Sequence, residues 1–530
     1  MLQDDSDVIE AFQDFARHSC SVDNLRREFA IILLNRTCQN ALLFFNLFAS
    51  NLCADENVTP HNVAEALWAI ESEMQEHGRS LEDKDFGFKL PNRPVGENQI
   101  LAVCWRHHIF SHVECCTQRD HYVQMFTDEQ RTAMQAIVDA VEGRSNSNVF
   151  TVLASAGCGK TCFVSGVTWL LRAQQRIIVN IAASALAATL LPGGRTAHSA
   201  LHIPIPTNSF SFCGLKSSER NLIQQCSVIF YDEVSMVSQE VANCIDRSLR
   251  EIMSEPKLPF GGKIVCFLGD FKQLLPVVPG RSNQITIKNC EWWNLCRVFR
   301  FTKNWRAAQN PEFARLLEDV GNGKMASVPV PPQSQVQTIQ LLIEKVYGSE
   351  MAQVPQSNNM ILALKLDACS QINEICLKSL PGEGMDVSAL DDLKDNKNPD
   401  QYPAEYLASL PLNGVPPASL TLKVHGRYMI TKNYDTHRGA CNGTLCEMLQ
   451  YTRHAVQVRL LSGTQIGRVM KIPRCSSHVS QENSGLPFCF TRVQFPLIPA
   501  YCVSVHKSQG QTIHKVGLFI TQDCFAHGQL

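Results

Sequence analysis

The residues best suited to chemistry form three short groups in the middle of the chain. The first is Ala154-Ser155-Ala156-Gly157-Cys158-Gly159-Lys160-Thr161, which follows an apolar run and opens a helical one. A Gly-rich turn in that setting aims backbone N–H groups at an anion, and the helix N-terminus adds its partial positive charge. Gly157, Cys158 and Gly159 supply that cradle. Lys160 reaches the β- and γ-phosphates of a nucleoside triphosphate, and the Thr161 hydroxyl takes Mg²⁺. Ala154 stands where the first glycine of this pattern usually sits. The second group is Asp232-Glu233, which ends the apolar run from Val228 to Tyr231, 72 residues beyond Lys160. Two carboxylates at a strand end beside a phosphate loop divide the work: Asp232 holds Mg²⁺, and Glu233 orients and deprotonates the attacking water. The third is Gly269-Asp270-Phe271-Lys272-Gln273, again directly after an apolar run. Gln273 is placed to contact the γ-phosphate and to report its loss. Upstream, Thr127 and Gln130 have the spacing of a capping box, and the Gln130 amide is also placed to read an adenine edge. ATP and Mg²⁺ are therefore the expected cofactors.

These groups need strands and helices to hold them. Val149 to Leu153, Arg176 to Ile181, Cys226 to Tyr231 and Lys263 to Leu268 are short, continuous apolar runs separated by helical stretches. That pattern predicts a parallel sheet covered on both faces. A second α/β region is expected from about residue 286, with Met360 to Leu364 and Lys515 to Ile520 among its strands. Residues 419–495 show short alternating strands and many turns, as in Val456-Gln457-Val458-Arg459-Leu460. They predict a small β domain inserted into the second α/β domain. Residues 1–120 have apolar positions three and four apart, at Leu25 to Leu33 and Asn62 to Met74, and read as helical. Lys89 to Pro94 reads as a linker.

Composition excludes several classes. The 530 residues carry 48 Lys+Arg against 50 Asp+Glu, a formal charge of −2, so bulk charge does not wrap this chain in nucleic acid. A local basic channel stays open. The 22 cysteines are scattered through apolar runs in a long chain, which fits reduced thiols better than a disulfide scaffold. Cys115-Cys116 lacks a second pair at zinc-finger spacing. Met1 to Glu10 is acidic, with neither a basic nor an apolar leader region, and no run reaches the roughly 20 apolar residues of a membrane span. The expected setting is cytosol or nucleus, without a membrane.

Taken together, the motifs resemble the Pif-type DNA helicases of superfamily one. The likeness rests on Phe126 to Gln130, the phosphate loop, Ala182 to Ala188, Gly193 to Ser199, Asp232 to Met236, Gly269 to Pro276 and Asn304-Trp305-Arg306. It continues through Cys441 to Thr444, Leu486 to Phe488, Arg492 to Pro496 and Val505 to Thr512, and covers about 120–530. The stretches Leu25 to Leu33, Asn62 to Leu81 and Phe488 to Pro496 further resemble the helicase portion of Helitron-type transposon proteins. No His-x-His nuclease site accompanies them.

The resemblance implies an α/β P-loop NTPase fold: two RecA-like parallel-sheet domains, a small inserted SH3-like β domain and a mostly helical N-terminal region. The expected division is 1–120, a helical pre-helicase region; 121–285, the first RecA-like domain with a wedge near 204–220; 286–418 and 496–530, the second; and 419–495, the insertion. It implies ATP in a cleft, with Arg306 reaching from the second domain to the γ-phosphate as an arginine finger. It implies 5′-to-3′ movement along single-stranded DNA, held by Thr196, His198 and Ser199 in one domain and His506, Lys507 and Ser508 in the other. Phe210 and Phe212 stack on a base or belong to the core. Arg474 and Arg492 are further DNA-contact candidates. In the family a helix with a second γ-phosphate arginine follows the segment His527 to Leu530, so the expectation is a truncated chain. The implied work is repair, recombination, telomere maintenance or rolling-circle transposition, by a monomer acting on duplex junctions in the nucleus. The alternative expectation is a hydrolysis-impaired nucleic-acid-binding remnant.

Overall fold

The computed structural model describes residues 6–18, 21–35, 40–53, 58–77, 79–91, 111–276, 286–348 without 326 and 329, 358–393, 402–521 without 411, 413 and 437, and also 524 and 528. The linker expected at Lys89 to Pro94 lies partly outside them. The chain divides into two compact units, one of residues 96–337 and 520–530, the other of 1–95 and 338–519.

The first unit is built on a six-stranded sheet. Its strands are β1 Val149–Ala154, β2 Ile178–Ala182, β3 Arg195–Thr196, β4 Val228–Asp232, β5 Ile264–Gly269 and β6 Arg297–Phe301, in the spatial order β3-β2-β4-β5-β1-β6. Every pairing is parallel. Successive side chains face opposite sides, so each strand feeds two cores. Val228 and Phe230 of β4 pack with Phe150, Val152, Cys266 and Leu268 under the phosphate-loop helix Lys160–Ala173. Ile229 and Tyr231 pack on the other face with Val265, Phe267 and Trp292. This two-faced burial is why the strands read as unbroken apolar runs.

Two expected boundaries move. β6 was assigned to the second α/β region, but Phe150 to Ala154 of β1 pair with Arg297 to Phe301. The first domain therefore runs past 285. Helix His112–Gln124 straddles the boundary at 120 and belongs with the first unit. Gly166 of the phosphate-loop helix permits its approach: a Cβ there would stand 2.4 Å from the Phe126 ring and 3.1 Å from Tyr122.

In the second unit, helices Ser6–His18, Val22–Asn35, Ala41–Leu47, Ala49–Cys53 and Pro60–Glu76 enclose a core of their own. Phe12, Phe29, Phe44 and Phe48 meet there in edge-to-face and stacked pairs. β7 Asn359–Ala363 is the centre of a parallel three-stranded sheet between β18 Cys502–Ser504 and β19 Lys515–Phe519. Asn373, on helix Leu366–Ser379, ties that sheet down. Its amide donates to the Pro499 and Cys502 carbonyls and accepts from the Tyr501 and Cys502 N–H groups, all at 2.8–3.1 Å.

The inserted β region starts earlier than 419. β8 Met385–Ser388 pairs with β10 Ser419–Leu422, and β9 Leu390–Asp392 pairs with β16 Phe490–Gln494. A five-stranded antiparallel sheet runs β14-β13-β12-β11-β17, from Val469–Pro473 through Ala455–Leu460, Leu445–Tyr451 and Arg427–Ile430 to Leu497–Pro499. The two candidate arginines here differ in burial. Arg492 is 2% exposed and grips Asp391 with two bonds of 2.7 and 2.8 Å, while donating to the Leu407 carbonyl. Arg474 donates to the Arg453 and Ser388 carbonyls. Arg492 is corrected to a structural residue. Arg492→Ala removes a buried guanidinium from the partly buried Asp391 carboxylate and is expected to lower stability by about 3 kcal/mol, read by denaturant unfolding, with no direct loss of a DNA contact.

Candidate nucleotide and nucleic-acid sites

The phosphate loop leaves β1 at Ala154 and closes at Gly159, the left-handed N-cap of helix Lys160–Ala173. Gly157 and Gly159 have φ of 85° and 79°. Both also lie too close to neighbours for a side chain: a Cβ would sit 2.6 Å from Asn304 Oδ1 at Gly157 and 2.8 Å from Gln130 Nε2 at Gly159. Glycine is thus required twice, by backbone conformation and by space. Lys160 is buried, and its ammonium donates to the Ala154 carbonyl at 2.8 Å. That places the charge inside the loop.

Asp232 and Glu233 stand at the carboxyl end of β4. Asp232 is buried and accepts the Glu233 N–H at 2.8 Å. Burial raises its pKa, opposed by Lys160. Glu233 is a non-glycine residue at φ 55°, held in a strained conformation at a functional edge. Burial, and then the charges of Asp232 and Asp270, push its carboxyl up to about 7, while Lys160 and Arg306 pull it down. Its Oε2 is buried without a hydrogen-bond partner. A carboxylate poised near neutrality with one free oxygen suits a general base.

Gln273 does not stand alone: its amide donates to Asp270 Oδ2 at 2.9 Å. The same Asp270 oxygen accepts the Ala156 N–H of the phosphate loop at 3.1 Å. Asp270 therefore couples the end of β5 to the loop. The motif that contains it was visible in the sequence, but this role was not, because its partner lies 114 positions away. Gln130 makes both halves of the capping box with Thr127 and also reaches the Gly159 carbonyl at 3.4 Å.

Arg306 requires a correction. It follows β6 and belongs to the same unit as the phosphate loop, so it does not reach there from the second domain. Trp305 N–H donates to the Gly157 carbonyl at 2.9 Å, and the Asn304 amide to the Ala156 carbonyl at 3.2 Å. The Arg306 Cβ and Cγ would lie 3.1 Å from a Cβ on Gly157. Asn304 and Trp305 are anchors of this loop that motif reading left without a role.

The Mg²⁺ test is one of donor chemistry. Mg²⁺ takes hard oxygen ligands, few of them from protein when phosphates supply the rest. The Thr161 hydroxyl on the first helical turn and the buried Asp232 carboxylate fit that need. Among the described residues no cluster of three or more His, Cys, Asp or Glu could hold a metal by itself.

The DNA-contact candidates fall in the two units separately. Thr196 caps helix Ala197–Leu201 by accepting the Ser199 N–H, and Arg195 donates to the Ser199 carbonyl and hydroxyl at 3.0 and 3.1 Å. Burial lowers the His198 pKa. In the other unit, His506, Lys507 and Ser508 form a short helix after β18; burial lowers the pKa of both His506 and Lys507.

The segment 204–220 settles one open choice. Phe210 is 87% exposed, so it is no core residue, and Phe212 is half exposed with Arg247 over its ring at 5.8 Å. Glu219 clamps both stems, binding His202 at 2.7 Å and accepting the Lys216 N–H at 2.8 Å. A held loop thus presents an aromatic tip.

Comparison with known proteins agrees with these features. Residues 125–329 match the family described as PIF1-like helicase, and residues 405–451 match the 2B domain of DNA helicase Pif1. The chain is 24% identical to ATP-dependent DNA helicase PIF6 of Trypanosoma brucei brucei over 87% of its length and 56% of that protein's. It is 28% identical to human ATP-dependent DNA helicase PIF1, over 76% of this chain and 58% of that one. It thus spans little more than half of these relatives. The fold is similar to that of a Bacteroides Pif1 bound to single-stranded DNA, with a TM-score of 0.55, 24% identity, and 76% and 88% of the two chains covered. It is also similar to Candida albicans Pif1 helicase, with a TM-score of 0.54, 21% identity, and 76% and 90% covered.

Proposed function

We propose that this chain, whose residues 125–329 match the PIF1-like helicase family, is an ATP-dependent DNA helicase that couples Mg-ATP hydrolysis to 5′-to-3′ movement on single-stranded DNA and to duplex unwinding. One observation carries the reading above the rest. Lys160, Asp232, Glu233, Asp270 and Arg306 converge on one glycine-built loop, and Glu233 is tuned toward neutrality there.

The Gly157, Cys158 and Gly159 backbone and Lys160 bind the triphosphate, and Gln130 selects the base. Thr161 and Asp232 would hold Mg²⁺, which neutralises charge on the β- and γ-phosphate oxygens. Glu233 takes the proton of the attacking water. Arg306 stabilises the charge that develops on the transferred group. Gln273, held by Asp270, senses the γ-phosphate. Thr196, His198 and Ser199 hold DNA in one unit, and His506, Lys507 and Ser508 in the other, through contacts that position the strand without reading its sequence.

The exposed Phe210 is the wedge tip. Phe210→Ala is expected to lower forked-duplex unwinding about tenfold through loss of base stacking, with single-strand-stimulated hydrolysis intact. The work served is host repair, recombination or telomere maintenance, or strand displacement in rolling-circle transposition, the last supported by the resemblance of Leu25 to Leu33, Asn62 to Leu81 and Phe488 to Pro496 to Helitron-type proteins. On this reading the chain works as a monomer in the nucleus, a location that follows only from the DNA substrate. The test is unwinding of a fork with a 5′ or a 3′ single-stranded tail. Unwinding from the 5′ tail alone is expected; unwinding of neither contradicts the reading.

A further inference from the structure

We propose that the N-terminal helices are a positioning element for the DNA-contact segment 505–508, acting on it through the loop 431–444 of the β insertion. This rests on the DNA-binding reading above and gives residues 1–95 a task within it.

The contacts are specific. Helix Val22–Asn35 turns four polar side chains onto that loop. Arg27 bonds Asp435 at 3.2 Å, and Glu28 receives Arg438. Asn24 receives Arg438 as well, at 3.2 Å, and the Asn35 amide donates to the Tyr434 carbonyl at 3.3 Å. Asp435 and Tyr434 are fully buried. Asp435 also accepts the Arg438 N–H at 3.0 Å and stands 3.5 Å from its guanidinium. Arg27, Asp435, Arg438 and Glu28 thus alternate in sign around one buried point. Burial raises the Glu28 pKa, against the pull of Arg438. Removing Glu28 would take from Arg438 the carboxylate it bonds directly and leave it Asp435 at 3.5 Å.

From this network the loop runs on through fixed turns. Asp435 and Ala440 exchange backbone hydrogen bonds, and the Thr444 hydroxyl donates to the Gly439 carbonyl at 2.9 Å. Asn433 accepts the Asn442 N–H at 3.0 Å, and the Gly443 N–H donates to the Ile430 carbonyl at 2.8 Å. The Gly443 carbonyl then accepts the Gln511 amide at 2.5 Å, and the Gln511 N–H donates to the Ser508 carbonyl at 3.0 Å. The path from Glu28 to Ser508 consists of hydrogen bonds and ion pairs joined by single backbone steps.

Simple packing would look different. The N-terminal helices bury their apolar residues, from Val8 to Phe88, in a core of their own. They meet the loop by charge and directed hydrogen bonds, which fix orientation as well as proximity.

The test uses the full chain and a labelled oligo-dT strand. For Glu28→Ala, the DNA concentration that half-activates hydrolysis should rise about tenfold. The DNA-free rate and the maximal rate at saturating DNA should stay unchanged, a split that general unfolding does not produce. Gln511→Ala should raise the same constant, and the double variant should be no worse than the larger single one. A folded Glu28→Ala with an unchanged half-activating concentration overturns the proposal, and so do fully additive effects. If Glu28→Ala fails to fold, Asn24→Ala removes one bond at the rim of the network; a smaller rise supports the proposal and no rise overturns it. A wild type that does not bind oligo-dT overturns the functional reading together with this inference. An indifferent Glu28→Ala in a DNA-binding wild type overturns the inference alone.

Discussion

Arg306→Ala slows ATP hydrolysis by about 10³–10⁵-fold, the range seen when an arginine that stabilises a transferring phosphoryl group is lost. Two features lead to this expectation. The segment Asn304-Trp305-Arg306 is fastened to the phosphate loop by bonds to the Gly157 and Ala156 carbonyls. The Arg306 charge is also felt at Glu233. Because Asn304 and Trp305 do the anchoring, removing the Arg306 guanidinium should leave the loop in place. ATP affinity should therefore fall far less than turnover. Single-turnover hydrolysis beside a nucleotide-binding titration checks this. A loss confined to affinity would show that Arg306 only helps to dock the nucleotide.

Glu233→Gln is the second large effect, with hydrolysis expected to fall by about 10²–10⁴-fold as the general base is removed. The substitution keeps the side-chain shape, so ATP and DNA binding should persist. The pH profile is the sharper signature. Burial and the neighbouring carboxylates push Glu233 up to about 7. Below that pH it is protonated and cannot accept the water's proton. The rate kcat/KM should rise with pH through the neutral range and level off above it, since this parameter reports the free enzyme. In Glu233→Gln the neutral-range rise should vanish. A wild-type profile flat from pH 6 to 8 would contradict the assignment.

Local signals were legible and non-local ones were not. The capping box of Thr127 and Gln130 needs only residues three apart, and both of its bonds are present. The phosphate loop and Asp232-Glu233 were readable because strand, turn and helix follow one another within a few residues. The β6 strand was misplaced for a physical reason. It lies at a sheet edge, and of its five residues only Phe301 is buried, so it lacks the unbroken apolar run that marked the other strands. β8 and β9 hid within a short, partly acidic stretch, since three or four residues carry little periodicity. Arg492 looked like a cation for DNA because its partner, Asp391, lies 101 positions upstream. Arg306 was read into the wrong domain, as nothing local reveals that β6 joins β1. The contacts of the N-terminal helices with the β insertion were hidden because Arg27 and Glu28 meet residues more than 400 positions away.

The measurement that bears most directly on the account is steady-state ATP hydrolysis by the full chain in Mg²⁺, with and without single-stranded DNA, beside Glu233→Gln. The account predicts low hydrolysis alone, strong stimulation by DNA, and loss of that stimulation in the variant while DNA binding remains. Tight binding of both ATP and DNA without turnover in the wild type would contradict it.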